Sequence, residues 1–248
     1  MDASFHAFEK EVEDWHWWYR VRRDILDMQL ARLAVNSGTG PARARILDVG
    51  CGTGGAAVTL ARHGRAVALD RSPGSFANAM DRPYRHRVVA SAAEPLPFAD
   101  DSFDVVCALD ILEHLDDDSA AARELGRVCK RGGHVIAYVP AYQLLWGYND
   151  EYSHHKRRYV KQGLSSLLAR AGLEVVESGY FNAVLFLPTL AARLVQRAAP
   201  RLTNGMEHST KPAPWNGVLT SIFRAELPLL KRRPLPFGTS AYCIARKS

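Results

Sequence analysis

The residues best suited to chemistry begin at Ile46-Leu47-Asp48-Val49-Gly50-Cys51-Gly52-Thr53-Gly54. A short β-branched run precedes the glycines and an apolar-periodic stretch follows, so they lie where a strand turns into a helix. Glycine allows a tight turn and a close approach of the backbone to a ligand, and a helix N-terminus offers free N–H groups to an anion. Asp48 stands two residues before the first glycine. Asp70 closes the next strand, 20 residues after Gly50, where a carboxylate can accept both hydroxyls of an adenosine ribose. A pyrophosphate asks for the wider G-x-G-x-x-G, so the G-x-G-x-G spacing here disfavours an NAD(P)-dependent Rossmann oxidoreductase.

A second group is Tyr152-Ser153-His154-His155-Lys156-Arg157-Arg158-Tyr159. Taken alone, such a run reads as a solvated loop. Placed over the carboxyl ends of the strands, a neutral histidine can take a proton from a hydroxyl, and Arg157 or Arg158 can grip a carboxylate or phosphate. His155 is the first candidate base, ahead of His114, with His154 behind both. The densest aromatic run, Trp15-His16-Trp17-Trp18-Tyr19-Arg20, reads as a packed helix. Its aromatic faces would also attract a cation.

The elements that must hold these residues alternate regularly. Residues 5–35 read as one helix and 36–41 as a linker. Strands at 45–49, 66–70, 87–90, 103–109 and 133–140 alternate with helices at 55–63, 73–81 and 120–128. Near-continuous apolar strands between helices imply a parallel sheet covered on both faces. Residues 141–160 read as a polar, aromatic loop, 161–171 as a helix ended by Gly172, and 173–181 as a sixth strand. The stretch 182–238 reads as irregular, with one apolar helix face at Leu187, Leu190, Ala191, Leu194, Val195 and Ala198. Residues 239–247 form a last strand. The expected fold is a doubly wound, Rossmann-like α/β sheet, mostly parallel with an antiparallel last strand. Its expected parts are a helical lid (1–40), a core (41–181), a cap insertion (182–238) and the closing strand (239–248).

At these residues the sequence resembles the class I S-adenosylmethionine-dependent methyltransferases, over roughly 46–180. The resemblance implies that Gly50, Gly52 and Gly54 embrace the amino-acid part of S-adenosylmethionine, that Asp48 orients its ammonium group, and that Asp70 holds the ribose, with Arg71 and Leu109 also beside the cofactor. Ala92-Ala93-Glu94-Pro95-Leu96-Pro97-Phe98 is similar to the family's D-A-E-x-L-P-F segment next to adenine. Ala92 replaces the usual acid, which leaves adenine to the Ala93 backbone and apolar packing. Asp110-Ile111-Leu112-Glu113-His114 resembles the motif that closes the floor beneath the methyl group. His155, Arg157, Arg158 and Tyr159 align with an H-x-R-R-Y segment. An N-terminal lid with Tyr19 would shield the sulfonium. The implied activity is methyl transfer to an O, N or C nucleophile of a small-molecule or lipid-like acceptor. The rival is a SAM-binding module without catalysis, for which the loss at Ala92 is the one favourable feature.

The 248 residues are 47% hydrophobic, which suits one domain with a sizeable core and excludes collagen, coiled coil and wholesale disorder. Four cysteines with no C-x-x-C pair argue against structural zinc and for reduced thiols in a cytoplasm. No metal-ligand cluster stands out, and none is expected. No signal peptide or spanning segment is expected either. Of the formal +6, residues 141–248 carry 15 basic and 6 acidic groups, while residues 46–140 carry 10 and 13. That distribution points to an acidic or phosphorylated acceptor, or to peripheral membrane contact through 182–238, and away from nucleic acid. A homodimer contact in the same stretch is a further expectation.

Overall fold

A computed structural model of the chain describes residues 10–36, 44–198 and 214–248. Its centre is a seven-stranded sheet of β1 (Arg45–Val49), β2 (Arg65–Asp70), β3 (His86–Val89), β4 (Phe103–Leu109), β5 (Cys129–Pro140), β6 (Leu173–Phe181) and β7 (Ser240–Lys247). The order is β3-β2-β1-β4-β5-β7-β6. β7 pairs antiparallel with both β5 and β6, and the other pairings are parallel. The doubly wound fold with its antiparallel last strand is therefore as expected.

The period-2 alternation of the strands sorts their side chains between two cores. Leu47, Leu69, Val106, Val135 and Ala137 face one side, with Ala122 and Leu125 of α4 (Asp118–Val128) and Leu164 and Leu168 of α6 (Lys161–Arg170). Ile46, Ala68, Cys107, Ile136 and Tyr138 face the other. There they meet Val21, Ile25 and Leu26 of α1 (Trp17–Asn36) and Leu60 of α2 (Ala57–His63). Both faces are dry, so the strands need no polar side. The connection from β2 to β3 contains α3 (Pro73–Asn78). All four cysteines are buried and free, consistent with the reduced-thiol expectation.

Three expectations need correction. The N-terminal helix is not continuous: helical residues 10–13 end at a turn, and α1 starts afresh at Trp17. Residues 1–9 lie outside the described residues. The loop after β5 contains a helical turn at Gln143–Leu145 and α5 (Tyr148–Tyr152). The stretch 182–238 holds three helices among its described residues: α7 (Phe186–Ala198), α8 (Asn216–Arg224) and α9 (Leu227–Arg232). α7 is the apolar-faced helix expected there despite Pro188, α8 and α9 are additional, and Pro228 disguises α9. Both prolines fall in a first turn, where the N–H that proline lacks would have no intrahelical acceptor.

The chain order reverses between β1 and β4, so their connections leave in opposite directions and open a crevice at the carboxyl ends. Backbone strain collects along that edge. Asp110 after β4 (φ +58°), Tyr142 after β5 (φ +54°) and Asn182 after β6 (φ +60°) all adopt left-handed conformations. For a residue with a Cβ this costs on the order of 1 kcal/mol, and it is concentrated where a ligand would bind.

Candidate active site

The glycine turn leaves β1 with its amides folded back onto β2. Gly50 and Cys51 N–H both donate to Leu69 O, and Gly52 N–H donates to Asp70 Oδ2 at 2.9 Å. Gly50 has φ +73°, and a Cβ there would come within 2.7 Å of Ile111. The second Asp70 oxygen accepts from Ser72 N–H at 2.8 Å. Asp70 is thus fixed at the mouth of the switch point by the loop it faces. Asp48 is fully buried and accepts from Tyr84 O–H. Burial raises its carboxyl, the Tyr84 bond opposes this, and the nearby Asp70 and Glu13 charges add to it, for a value of about 6.

The N-terminal segment expected as a lid lies across this turn. Glu13 accepts from Thr53 O–H at 2.8 Å and pairs with Arg82. Asn216 of α8 ties the lid to the cap. It accepts from Trp17 N–H and donates to Trp15 O, each at 2.9 Å. Arg22 is buried, lies 4.0 Å over the Trp18 ring and pairs with Asp110. The lid therefore reaches the turns after β1 and β4 as well as the cap.

The histidine loop is tied to its surroundings by its own cations. Lys156 N–H donates to Glu113 O, Arg157 to the Leu115 and Asp116 carbonyls, and Tyr159 O–H to Asp118. Arg158 forks onto Asp150, with Nε 2.7 Å from Oδ1 and Nη2 3.0 Å from Oδ2. His155 Nδ1 lies 2.9 Å from the same Asp150 Oδ1. Burial would raise the Asp150 carboxyl, but the His155 and Arg158 bonds outweigh it and hold the group at about 2. An ionised Asp150 makes Nδ1 the protonated nitrogen of His155 and leaves Nε2 a lone pair. His114 stands edge-on to His155 with ring centres 4.7 Å apart, and burial together with His155 lowers it to about 4. Beside them Glu113 is fully buried, and neither of its carboxyl oxygens meets a donor. Burial, and then the Asp110 charge, push its carboxyl well above the usual carboxylate range. Ligand atoms of Glu113, His114 and His155 lie within 4.8 Å of one another, a convergence of two loops that spacing along the chain could not reveal.

These groups share one cavity of about 760 Å³. It brings together Asp48, Gly50, Gly52, Asp70, Leu109, Tyr19, His114 and His155. Gly54, Arg71, Ala92 and Ala93 are not among its lining residues. Gly54 turns the loop at φ +84°, and Arg71 is exposed. Ala92 is partly buried against one of the two cores, and the Ala93 N–H donates to Ser91 Oγ at 3.1 Å. Arg157 and Arg158, read as grips for an acceptor, are engaged by Asp118, carbonyl oxygens and Asp150. Sequence reasoning missed Glu13, Arg22, Asp150, Arg193 and Asn216, because each acts through a partner distant in sequence or on another element. The donor set fits S-adenosylmethionine. A carboxylate stands at the end of β2 for the ribose, a second one and an aromatic wall suit a cation, and the glycine turn leaves space.

A switch-point crevice with a glycine turn and a carboxylate at the end of β2 is the arrangement in which a doubly wound domain binds a nucleotide-like ligand. Residues 47–137 match the family model described as "Methyltransferase domain". A ubiquinone biosynthesis O-methyltransferase from Xanthomonas euvesicatoria pv. vesicatoria is 30% identical over 194 residues, covering 69% of this chain and 77% of that protein. A demethylmenaquinone methyltransferase from Mycobacterium marinum is 41% identical over 93 residues, covering 37% of this chain and 39% of the relative. Among solved structures, Haemonchus contortus phosphoethanolamine N-methyltransferase 2 in complex with S-adenosyl-L-methionine superposes with TM-score 0.55 at 20% identity, covering 88% of this chain and 52% of that one. The chain belongs to the class I S-adenosylmethionine-dependent methyltransferases.

Proposed function

We propose that this methyltransferase alkylates a hydroxyl oxygen of a small, partly apolar acceptor, with His155 as the base. The observation that carries this reading is the Asp150–His155 pair in the wall of the cavity that also holds Asp48, Gly50 and Asp70. Bound S-adenosylmethionine supplies an electrophilic methyl group on a sulfonium. Asp48 would meet the ammonium, Asp70 the ribose, and the lid aromatics, Tyr19 among them, would exclude water from the sulfonium. His155 Nε2 takes the hydroxyl proton as the oxygen bonds to the methyl carbon and the carbon–sulfur pair returns to sulfur. Asp150 holds the ring in the required tautomer and stabilises the imidazolium. Holding oxygen, methyl and sulfur in line within a closed site supplies much of the acceleration.

The cap favours an acceptor with an apolar portion. Thr189 and Arg193 of α7 and Asn216 and Leu219 of α8 line the cavity. The same helices expose Leu187, Leu194, Val195, Val218 and Ile222. Among the described residues no helix is long and apolar enough to cross a membrane. With Arg197, Lys231, Arg232 and Arg233 exposed nearby in the chain, this face suits peripheral contact with an anionic bilayer that holds a lipid-like acceptor.

Calorimetry with S-adenosylmethionine, repeated on Asp70→Ala, tests the cofactor assignment, and a wild type that binds none would overturn it. Turnover is then followed as S-adenosylhomocysteine release over a panel of phenols and hydroxy acids, with product mass and fragmentation locating the methyl group. His155→Ala should lower turnover by about 10²-fold or more and leave cofactor affinity within about threefold. Methyl groups found on nitrogen or carbon, or an unchanged rate in His155→Ala, would reject the reading.

A further inference from the structure

Two guanidiniums in the cavity wall, Arg23 and Arg193, have no carboxylate within ion-pair distance among the described residues. Arg23 donates to the Glu13 and Asp14 carbonyl oxygens and has the Asp14, Glu13 and Asp24 charges around it, whereas Arg193 has the single charge of Asp150. Arg193 projects from α7, is half-buried, and lines the same cavity as His155. Its Nε donates to Leu145 O at 3.2 Å and its Nη1 to Gln196 Oε1 at 2.7 Å, both neutral acceptors. Among the described residues no carboxylate lies within ion-pair distance of it. Arg22, which shares the cavity wall, has Asp110, and Arg158 has Asp150.

The charge around Arg193 is unbalanced. Arg158, Asp150 and Arg197 act on it, which makes three guanidiniums against one carboxylate. That carboxylate already takes both forks of Arg158 and the His155 ring. Burial first, and then Arg158, push the Arg193 guanidinium below its ordinary value. A desolvated cation beside like charges is costly unless an anion completes it.

The position is also built. The Arg193 guanidinium sits flat against the backbone at Gly147, where any Cβ would come within 2.5 Å of Cζ, Nε and Nη1. Gly147 is in extended backbone (φ −165°), which any residue can adopt, so what the glycine provides there is room. The Leu145 and Gln196 bonds also hold the fork. A planar guanidinium pre-set in this way is suited to two parallel bonds with an oxyanion.

We propose that Arg193 forms an anion subsite that binds a carboxylate or phosphate group of the methyl acceptor, so the acceptor is an acidic molecule held at one end by Arg193 and methylated near His155. This deepens the proposed function and rests on its placement of the acceptor in the cavity. It also moves the acidic-acceptor grip from Arg157 and Arg158, which the fold employs internally, to a residue on the cap.

The test uses phenyl phosphate, phenylacetate and neutral 2-phenylethanol as probes, titrated by calorimetry and ligand-observed NMR with and without S-adenosylhomocysteine. Wild type should bind at least one anion at least tenfold more tightly than 2-phenylethanol, and the better anion identifies phosphate or carboxylate as the group. Arg193→Gln should reduce that preference to less than twofold. Gly147→Ala keeps every charge but places a methyl group where the guanidinium lies, and should weaken the anion at least fivefold. S-adenosylhomocysteine affinity within twofold of wild type in both variants would show that each is folded. No anion preference in wild type, or a preference that survives Arg193→Gln, would overturn the subsite. Absence of S-adenosylhomocysteine binding would count against the methyltransferase reading, while the titrations without it still report on Arg193.

Discussion

Asp150 Oδ1 stands 2.9 Å from His155 Nδ1 and 2.7 Å from Arg158 Nε, so one buried carboxylate orients the candidate base and neutralises a neighbouring cation. The two tasks compete. The Arg158 fork keeps Asp150 ionised and lessens the charge it can offer to a protonated His155. Asp150 thus serves to fix the orientation and tautomer of the His155 ring.

Asp150→Asn should lower turnover by about 10- to 100-fold, mainly in kcat, because an amide no longer dictates the protonated nitrogen of His155. It should also unpair Arg158 and cost about 3 kcal/mol of stability in denaturant unfolding. Retention of both full activity and stability would contradict the role assigned to the carboxylate.

The same group sets an acid limit. Its folded value of about 2 lies below the ordinary aspartate value of 3.8. A depressed carboxylate stabilises the fold fully above its unfolded pKa and loses that contribution as pH falls through the folded value. Asp150 should supply about 2 kcal/mol near neutrality, lost progressively between about pH 5 and pH 2. Wild type and Asp150→Asn melting curves should accordingly converge towards pH 2.

Asp48 behaves in the opposite sense. Its carboxyl is raised from 3.8 to about 6, so ionising it in the folded protein is unfavourable and its contribution to stability declines as pH rises through that interval. Asp48→Asn, which can still accept from Tyr84, should stabilise the apoprotein at pH 7 by about 1–3 kcal/mol. The same change should weaken S-adenosylmethionine at least tenfold, and wild-type affinity should fall below pH 6 as the carboxyl protonates. Thermal melts and calorimetry across pH 5–8 would check both halves of this trade.

Asn216→Ala removes both bonds between the lid turn and α8. The expected loss is about 1–2 kcal/mol, together with faster hydrogen exchange at Trp15 to Trp18 and a higher KM for the cofactor. Exchange that stays as slow as in wild type would show that the lid is held by other contacts.

The exposed face of α7 gives a fifth outcome. Sedimentation with phosphatidylglycerol vesicles should exceed that with phosphatidylcholine. Leu194→Asp with Val195→Asp should reduce it about tenfold, and both changes lie on side chains more than half exposed, so the fold should survive. Equal sedimentation of the variant would remove the membrane-contact reading.

Much of this protein follows from its sequence. Apolar strands alternating with helices require a sheet covered on both faces, and local steric rules place the glycine turn and Asp70 at the ends of β1 and β2. The family's motifs lie in order because backbone geometry at a strand–helix turn depends on a few adjacent residues. The folding of 182–238 was less legible beyond α7, since Pro228 marks a helix interruption on the page but occupies a first turn in space. The tertiary structure decided how distant residues are paired. Glu13 meets Thr53, Arg22 meets Asp110, Asn216 meets the lid, and Arg193 settles against Gly147, each across a separation that pattern and spacing do not encode. It also decided which cations are spent within the fold. Arg157 and Arg158 look available in the sequence, yet each finds its acceptors within the fold, because a charge removed from water must be compensated at the place where the chain brings it.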